Sequence, residues 1–199
     1  MSNTSSNEIP LDALRSGDRD AFAGIVGANS GQIYRLALKM LNNAQDAEDV
    51  LQNTFAKAFQ NIGTFEGRSS LLTWLYRIAA NEALMMIRKR RPELTETDTR
   101  PEDAEDADLT PHEFVDWGFM PEDELLAGEA RNQLDLAVQH LPATLRIVFL
   151  LRDIEGRSIQ ETSQILGLSE TAIKTRLLRA RLRLREELSH YYSERLKQE

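Results

Sequence analysis

Apolar side chains recur every three or four residues along most of the chain, which is the spacing of one face of an α-helix. In the first half this pattern predicts three helices, at Ala21–Leu41, Ala44–Ile62 and Leu71–Arg91. In the second half it predicts four more, at Leu126–His140, Pro142–Asp153, Ser158–Leu166 and from Ser169 to about Tyr191. No segment shows the period-two alternation of a half-buried strand. The pattern therefore predicts an all-α protein.

The predicted helices are separated by residues that commonly begin or end helices. Asn42–Asn43 and Gly63–Gly67 have loop chemistry and separate the first three helices. Pro142 suits the first position of a helix. Gly156 and Gly167 lie where helices must end. These breaks predict short connections within each half of the chain.

The most specific pattern begins at Ser158, which is followed three residues later by Glu161. This spacing predicts a capping box at the start of a short helix. A turn of about three residues follows, in which we expect Gly167 to be left-handed, Leu168 to enter the core and Ser169 to cap the next helix. A glycine turn between a short helix and a long one is typical of a helix-turn-helix.

The second helix of this motif is strongly basic and suits the major groove of duplex DNA. Its apolar positions at helical spacing should face the core: Ile173, Leu177, Ala180 and Leu184. The positions suited to base edges lie towards its start: Ser169, Thr171, Lys174, Thr175 and Leu178. Arg176 and Arg179 suit either bases or phosphates, and the later arginines suit phosphates: Arg181, Arg183 and Arg185. A solvated or partner-binding basic helix is the alternative.

The helix at Leu71–Arg91 has an unusual distribution of charge. Seventeen residues, Leu71–Ile87, contain only the charges of Arg77 and Glu82, and four basic residues follow. A membrane span would be apolar all round and about 20 residues long, whereas the nearly uncharged stretch of this helix has only 17 residues. On a helical wheel it is also amphipathic, with one broad apolar arc: Met85, Ile78, Leu71, Leu75, Met86, Ala79, Leu72 and Ala83. We therefore expect it to be a helix of a folded domain.

The opposite arc of the same helix contains Trp74, Arg77, Asn81 and Arg88, with Leu84 and Ala80 beside them. Aromatic stacking, base hydrogen bonding and phosphate neutralisation are what a single-stranded nucleic acid requires of a surface. The alternative is that Trp74 belongs to the core and that Asn81 is only solvated. The sequence alone leaves both interpretations of Trp74 open.

Charge is strongly segregated along this chain, whose net charge is −8. Residues 1–92 have a balance of +2, residues 93–124 a balance of −12, and residues 125–199 again +2. The acidic segment contains 13 acidic residues and one basic residue, so it is expected to be a flexible, self-repelling linker. Phe114–Met120 interrupts the acidity with apolar residues, which either pack onto a domain or dock on a partner.

Several classes of function are disfavoured by what the sequence lacks. The chain has no cysteine, which excludes disulfides and cysteine-ligated metals. The first residues have no secretory signal, and the three histidines, His112, His140 and His190, are scattered. No catalytic triad, phosphate-binding loop or metal cluster is present in the pattern. We expect no catalytic or metal-binding residue, no cofactor, no small-molecule substrate and no membrane insertion. We expect the protein to be located in the cytoplasm.

Three segments together resemble the extracytoplasmic-function (ECF) sigma factors of bacterial RNA polymerase. They are DAEDVLQNTFAKAF, FEGRSSLLTWLYRIAANEAL with its following IRKRR, and the helix-turn-helix. The resemblance covers Asp18–Arg91 and Glu129–Tyr191. It implies two small helical domains, the first like sigma region 2 and the second like sigma region 4. The expected boundaries are a disordered N-terminal tail at 1–17, the first domain at 18–92, the acidic linker at 93–125, the second domain at 126–192 and a C-terminal tail at 193–199.

The resemblance also implies a role for particular residues. The first domain would bind the promoter −10 element through Phe65, Arg68, Trp74, Arg77, Asn81, Arg88, Lys89, Arg90 and Arg91, with Phe65 and Asn81 holding a flipped base. The second would bind the −35 element through Ser169, Thr171, Lys174, Thr175, Arg176, Leu178, Arg179 and Arg183. An acidic helix would dock on the clamp helices of the largest polymerase subunit through Asp46, Glu48, Asp49, Gln52 and Asn53. On the sequence alone, this last group is equally a solvated face.

The resemblance further implies partners outside the chain. The second domain would contact the flap of the second-largest polymerase subunit, and an anti-sigma factor would hold the protein inactive until a stress or another signal arrives. The acidic linker would imitate the nucleic-acid backbone inside a basic channel of the polymerase. Two other classes remain as alternatives: a stand-alone helix-turn-helix regulator that binds an operator as a dimer, and an adaptor that binds a membrane surface or a partner helix through Arg88–Arg91.

Overall fold

The computed structural model describes residues 18–90 and 124–195, with side chains described at 18–90 and 131–189. Every element within those two ranges is helical, so the predicted all-α fold class is confirmed. The helices are α1 (Arg19–Leu41), α2 (Ala44–Asn61), α3 (Leu71–Arg90), α4 (Glu124–His140), α5 (Ala143–Phe149), α6 (Ile159–Leu166) and α7 (Glu170–Arg195). The chain divides into two compact units between Ala83 and Leu84, within the continuous helix α3.

The first unit begins with two helices joined by a two-residue turn. The Asp18 carboxylate accepts a hydrogen bond from the backbone N–H of Asp20 (2.9 Å) and caps α1. Asn42 is left-handed with a φ of 50° and ends α1, and the Asn43 side chain accepts from the N–H of Asp46 (3.0 Å) and begins α2. Asparagine tolerates the left-handed region and is also a good helix cap. The Asn42–Asn43 pair therefore makes the tight turn that packs α2 against α1.

The core of the first unit combines aliphatic and aromatic side chains, with one charged pair at its edge. Its fully buried large side chains are Ile25, Ile33, Leu36, Met40, Leu75 and Tyr76. Glu82 of α3 is only 9% exposed, and its carboxylate accepts a hydrogen bond from the Lys57 ammonium of α2. Because a buried carboxylate without a partner is costly, this ion pair fixes α3 against α2.

The connection between α2 and α3 holds the aromatic residue that the sequence assigned to the −10 element. A single 3₁₀ turn at Ile62–Thr64 follows α2, and the N–H of Phe65 donates to the Ile62 carbonyl (3.1 Å). Gly67 has a φ of 75°, in the region that favours glycine. The Ser70 hydroxyl accepts from the N–H of Thr73 (3.1 Å) and so begins α3.

In the second unit, the long helix α7 packs against α4, α5 and α6. The buried positions of α7 are the predicted ones: Ile173, Leu177, Ala180 and Leu184. The Arg146 guanidinium of α5 donates to the carbonyls of Gln139 and Leu141, the latter at 2.9 Å. Since the last carbonyls of a helix lack partners within the helix, Arg146 stabilises the end of α4. Helix α7 continues to Arg195, three residues beyond the predicted domain end.

The helix predicted from Pro142 to Asp153 differs from the structure in two respects. Pro142 precedes α5 as its cap instead of being its first residue. The α-helix ends at Phe149, and Leu150–Ile154 forms a π-helical turn in which the N–H of Glu155 donates to the Leu150 carbonyl (2.8 Å). Hydrophobic spacing predicts a helix but does not distinguish α from π hydrogen bonding, because the extra residue is accommodated by packing.

The helix-turn-helix has the predicted local geometry. The N–H of Glu161 donates to the Ser158 hydroxyl (3.1 Å), and the N–H of Ser158 donates to the Glu161 carboxylate (2.8 Å), which completes the capping box. Gly167 ends α6 with a φ of 67°. The Ser169 hydroxyl accepts from the N–H of Ala172 (3.1 Å) and begins α7. Leu168 differs from the prediction, because it is partly exposed instead of fully within the core.

Candidate nucleic-acid interface

The exposed side of α7 is rich in cations and follows directly after the glycine turn. Exposed residues among the predicted −35 contacts are Ser169, Thr171, Lys174 and Arg183, and partly exposed ones are Thr175, Arg176, Leu178 and Arg179. The Thr175 hydroxyl donates to the Thr171 carbonyl (3.0 Å), which ties it to the helix backbone. All eight predicted contacts therefore lie on solvent-accessible parts of the helix or its cap.

Arg181 has a different environment from the neighbouring arginines. Its guanidinium donates two hydrogen bonds to the Asp153 carboxylate, at 2.9 and 2.7 Å. The two side chains are 24% and 18% exposed, so this pair is largely protected from solvent. Bidentate pairs of this kind are strong and geometrically specific. Arg181 therefore joins α7 to the π turn after α5, and a phosphate contact by this residue would have to compete with Asp153.

The electrostatics of the capping box at the start of α6 are distinctive. The hydrogen bond from the Ser158 backbone, aided by the Ser158 hydroxyl and by Arg157, lowers the pKa of Glu161 below its ordinary value against a smaller opposing effect of burial. A carboxylate at the first turn of a helix is also favoured by the helix dipole. Glu161 thus stays ionised while it fixes the first helix of the motif.

On α3, the polar residues of the predicted −10 arc lie on one exposed strip. Arg77, Asn81 and Arg88 are exposed, as are Lys89 and Arg90 at the end of the helix. Arg77, Asn81 and Arg88 share one side because residues four and seven apart are neighbours on a helix surface. The strip combines an amide, which can hydrogen-bond a base, with a basic end that can neutralise phosphates. Arg91 lies outside the described residues.

Phe65 and Trp74 form an aromatic pair at the start of this strip. Their ring centroids are 5.3 Å apart, with planes inclined by 43°. Phe65 is only 6% exposed, whereas Trp74 is partly exposed. Phe65 is therefore not offered to solvent as its predicted role requires, because the 3₁₀ turn directs its ring onto the indole. Trp74 packs its ring on Phe65 and is partly exposed as a residue, so packing is one of its roles, and its contact with DNA stays a prediction.

The buried arc of α3 is rotated from the one that the helical wheel predicts. Ala80, expected beside the polar arc, is completely buried, and Met85, expected in the core arc, is 55% exposed. Tyr76 and Glu82 are also buried. A helical wheel places the most hydrophobic residues in the core. Small side chains allow closer helix packing, however, so Ala80 lies inside and the larger Met85 lies outside.

Arg68, the remaining predicted −10 residue, is exposed in the loop before α3. Its guanidinium forms an ion pair with the neighbouring carboxylate of Glu66, and the two side chains are 84% and 62% exposed. Exposed ion pairs of this kind contribute little to stability. Arg68 is therefore accessible to a ligand, although its charge is partly balanced.

The predicted polymerase-docking group on α2 divides into two parts. Glu48, Asp49, Gln52 and Asn53 are exposed. Asp46 is only 6% exposed, and its backbone N–H is held by the Asn43 cap. Asp46 is therefore set apart from the exposed part of this group, and its assignment to polymerase docking stays a prediction. Its position in the first turn of α2 suits a carboxylate that stabilises the helix N-terminus.

Sequence reasoning missed several contacts that hold these surfaces in position. They are the ion pairs Lys57–Glu82 and Arg181–Asp153, the pair between His140 of α4 and Glu187 of α7, and the Arg146 cap. Each joins residues on different helices, so local spacing gives no signal for them. A charged residue within an otherwise buried arc, such as Glu82, is the one clue that the sequence offered.

Two absences apply to the described part of the chain. Among its side chains, no group of three or more His, Asp or Glu residues could hold a metal ion. None of the helices at residues 18–90 and 124–195 is both long and apolar enough to cross a membrane.

The fold and these surfaces define a class of protein: two small helical modules, one of which carries a helix-turn-helix with a basic second helix. Residues 25–93 match the family sigma-70 region 2, and residues 131–184 match sigma-70 region 4. The chain is 36% identical over 176 residues to the ECF RNA polymerase sigma factor SigW of Bacillus subtilis, with 88% of this chain and 92% of that protein covered. The chain belongs to the ECF sigma factors of the sigma-70 family.

Other relatives and solved structures agree with this membership. The RNA polymerase sigma-H factor of Pseudomonas aeruginosa is 34% identical, over 86% of this chain and 88% of that protein. The sigma factor RpoE of Bartonella quintana, solved with the anti-sigma factor NepR, has a TM-score of 0.60 and 26% identity, covering 84% of this chain and 96% of that one. CnrH, solved with the cytosolic domain of CnrY, has the same fold, with a TM-score of 0.64 and 23% identity, covering 90% and 95%.

Proposed function

We propose that this chain is an alternative sigma factor that binds core RNA polymerase and directs it to specific promoters. The observation that carries the proposal is the presence of sigma-70 regions 2 and 4 in one chain, each with an exposed polar strip on a long helix. Sigma-70 region 2 recognises the −10 element and takes part in strand opening, and region 4 recognises the −35 element.

The −35 contact is made by α7 in the major groove. Its N-terminal end, where Ser169, Thr171 and Lys174 are exposed, faces base edges, and Arg183 faces a phosphate. Arg176 and Arg179 are partly exposed and suit either target. Replacing a base reader by alanine would remove preference at one base pair, whereas replacing a phosphate contact would weaken all sequences equally.

The −10 contact is made by the strip on α3, with Asn81 as the reader of an unpaired base. Extruding a base costs a few kcal/mol, which stacking and hydrogen bonds to its edge repay. Trp74 offers part of its ring for stacking, while Phe65 becomes available only if Trp74 moves aside. Arg77, Arg88, Lys89 and Arg90 neutralise the backbone of the same strand, and Arg68 and Arg91 add to this charge.

Core polymerase binds the exposed face of α2, and it supplies all of the chemistry. Glu48, Asp49, Gln52 and Asn53 present two carboxylates and two amides within two helical turns, which suits a basic helical partner such as the clamp helices of the largest subunit. The second unit binds the flap of the second-largest subunit. The chain itself has no catalytic role and acts in the cytoplasm, where the polymerase is.

An anti-sigma factor holds the protein inactive until a signal arrives. The support for this regulation is the related RpoE of Bartonella quintana, which is 26% identical and was solved with its anti-sigma factor NepR. A partner that covers the faces used for polymerase would prevent initiation without any change in the DNA-binding residues.

Co-purification with core polymerase, followed by run-off transcription, tests this function. The wild-type chain should bind core and initiate from a promoter that core alone ignores. Asp49→Lys should weaken core binding by about tenfold or more, since it places a like charge opposite a basic partner. Asp20→Lys, the same charge change at an exposed site on α1, is the matched control. Operator binding as a dimer without affinity for core would instead identify a stand-alone regulator.

A further inference from the structure

Met85 is the most exposed of the large apolar side chains in the described part of the chain. It is 55% exposed, compared with 50% for Leu136 and 47% for Leu182. Hydrophobic periodicity assigned it to the core, but the packing of Ala80 and Tyr76 turns it outward. Single exposed apolar residues are common, so the position of Met85 relative to its neighbours decides whether it has a use.

Met85 lies within the polar strip of α3. Asn81 is one turn before it and Arg88 one turn after it, and both are exposed. Residues at these spacings are neighbours on a helix surface. The rise from Asn81 to Arg88 is about 10 Å, which is close to the length of three base steps of about 3.4 Å in one strand. The flexible apolar side chain of Met85 thus lies between the Asn81 amide, which suits hydrogen bonding to a base, and the Arg88 cation, which suits a phosphate.

This setting favours nucleic acid over a protein or lipid partner. A protein-binding surface has a contiguous apolar centre from which charged residues are depleted, whereas Met85 is flanked by Asn81 and Arg88 and followed by Lys89 and Arg90. The positive charge of the strip complements a phosphate backbone. Apolar side chains that accompany such contacts, methionine among them, insert between base steps and unstack them.

We propose that Met85 inserts between bases at the edge of the opened −10 segment and helps to keep the strands apart. The inference rests on the proposed function, because it requires α3 to contact the −10 element. It assigns to Met85 a part that hydrogen bonding by Asn81 does not supply: an apolar wedge that fills the gap left by separated bases. Met85 therefore stabilises the separated strands, and this contribution matters only on a template whose strands must be opened.

The test is run-off transcription with core polymerase on two templates, one fully duplex and one with mismatched, already open −10 bases. Met85→Ala should lower initiation on the duplex template about tenfold and on the open template less than about twofold. Met85→Leu, which keeps an apolar side chain of similar volume, should retain most of the duplex activity. Leu136→Ala, which truncates an apolar residue of similar exposure on α4, should leave the ratio between the templates unchanged.

Two outcomes would overturn the inference. An equal loss on both templates would mean that Met85 serves polymerase binding or the fold, and thermal unfolding of the variant would distinguish these causes. Unchanged initiation on both templates would mean that the side chain has no contact there. Failure of the proposed function has another signature, since the wild-type protein would then initiate on neither template.

Discussion

At the scale of single residues, the structure separates side chains that the sequence grouped together. Asn81 and Trp74 were both expected on the polar arc of α3, yet Asn81 is free of the core and Trp74 packs against Phe65 at a centroid distance of 5.3 Å. An aromatic pair of this kind contributes about 0.5–1.5 kcal/mol beyond its buried area. Replacing Trp74 should therefore affect stability as well as DNA binding.

Alanine at each of these positions separates packing from recognition. Trp74→Ala should lower the free energy of unfolding by about 2–4 kcal/mol, because it removes a partly buried indole and exposes Phe65. Asn81→Ala should change it by less than about 0.5 kcal/mol, because the amide is on the surface. Denaturant unfolding measures the stability of both variants. Binding of a single-stranded −10 oligonucleotide by the sigma–core complex measures their recognition of DNA. If only Trp74→Ala weakened this binding, the aromatic pair and not Asn81 would be the part that recognises the base.

Glu161 makes one local contribution to stability depend on pH. Its folded-state pKa is lowered, chiefly by the Ser158 backbone hydrogen bond, so its stabilisation is present above the unfolded pKa and is lost as the pH falls through the folded value. Glu161→Gln should cost about 0.5–1 kcal/mol at pH 7. This difference from wild type should shrink as the pH falls below the ordinary carboxyl range. Urea unfolding at a series of pH values checks this, and a difference that persists at about pH 3 would contradict it.

At the scale of elements, the long helix α7 has two functions that lie on different sides. Its buried side carries Ile173, Leu177, Ala180 and Leu184, and Arg181 anchors it to Asp153 in the π turn. Its exposed side carries cations that are proposed to contact DNA. Because the two arginines Arg181 and Arg183 differ in position by only two residues, they provide a direct comparison of these functions.

Arg181→Ala should destabilise the second unit by about 3 kcal/mol, since it leaves the protected Asp153 carboxylate without the cation beside it. Arg183→Ala should leave stability almost unchanged and reduce the salt dependence of −35 binding by about one phosphate contact. Thermal unfolding and filter binding at several salt concentrations measure the two effects. Equal behaviour of the two variants would show that the Arg181–Asp153 pair contributes little in solution.

At the scale of the whole molecule, the net charge of −8 conceals cationic surfaces. The acidic balance of −12 belongs to residues 93–124, while the flanking parts are each +2. An acidic segment joined covalently to DNA-binding units lowers the local potential that attracts DNA. This effect should fade as salt screens the charges. Free of polymerase, the chain is therefore expected to bind promoter DNA weakly.

Replacing the five acids at 102, 103, 105, 106 and 108 by their amides should strengthen binding of the free chain to duplex promoter DNA. We expect about a tenfold gain at about 50 mM salt and a smaller gain at about 200 mM. Replacing the neutral Thr95, Thr97 and Thr99 by alanine is the control without a change of charge. An electrophoretic shift assay measures both variants, with and without core. Tight, specific binding by the unmodified free chain would contradict the expectation.

The capping signals explain why so much of the fold was predictable. Asp18, Asn43, Ser158 and Ser169 each cap a helix, and Gly167 ends one, because their hydrogen bonds involve only neighbouring residues. The contacts that fix one helix against another were not predictable from spacing. Glu82 and Lys57 are 25 positions apart, and Arg181 and Asp153 are 28 apart.

By itself, the sequence determined the all-α class, the approximate positions of the helices, the helix-turn-helix and the resemblance to ECF sigma factors. These depend on local hydrogen bonds, hydrophobic period and contiguous motifs, all of which are written in neighbouring residues. Only the tertiary structure decided that Phe65 and Asp46 are buried, that Arg181 is committed to Asp153, and that Met85 faces solvent. The direction of a side chain at the margin of a helix face depends on how closely the next helix approaches, and that distance is set by residues far away in the chain.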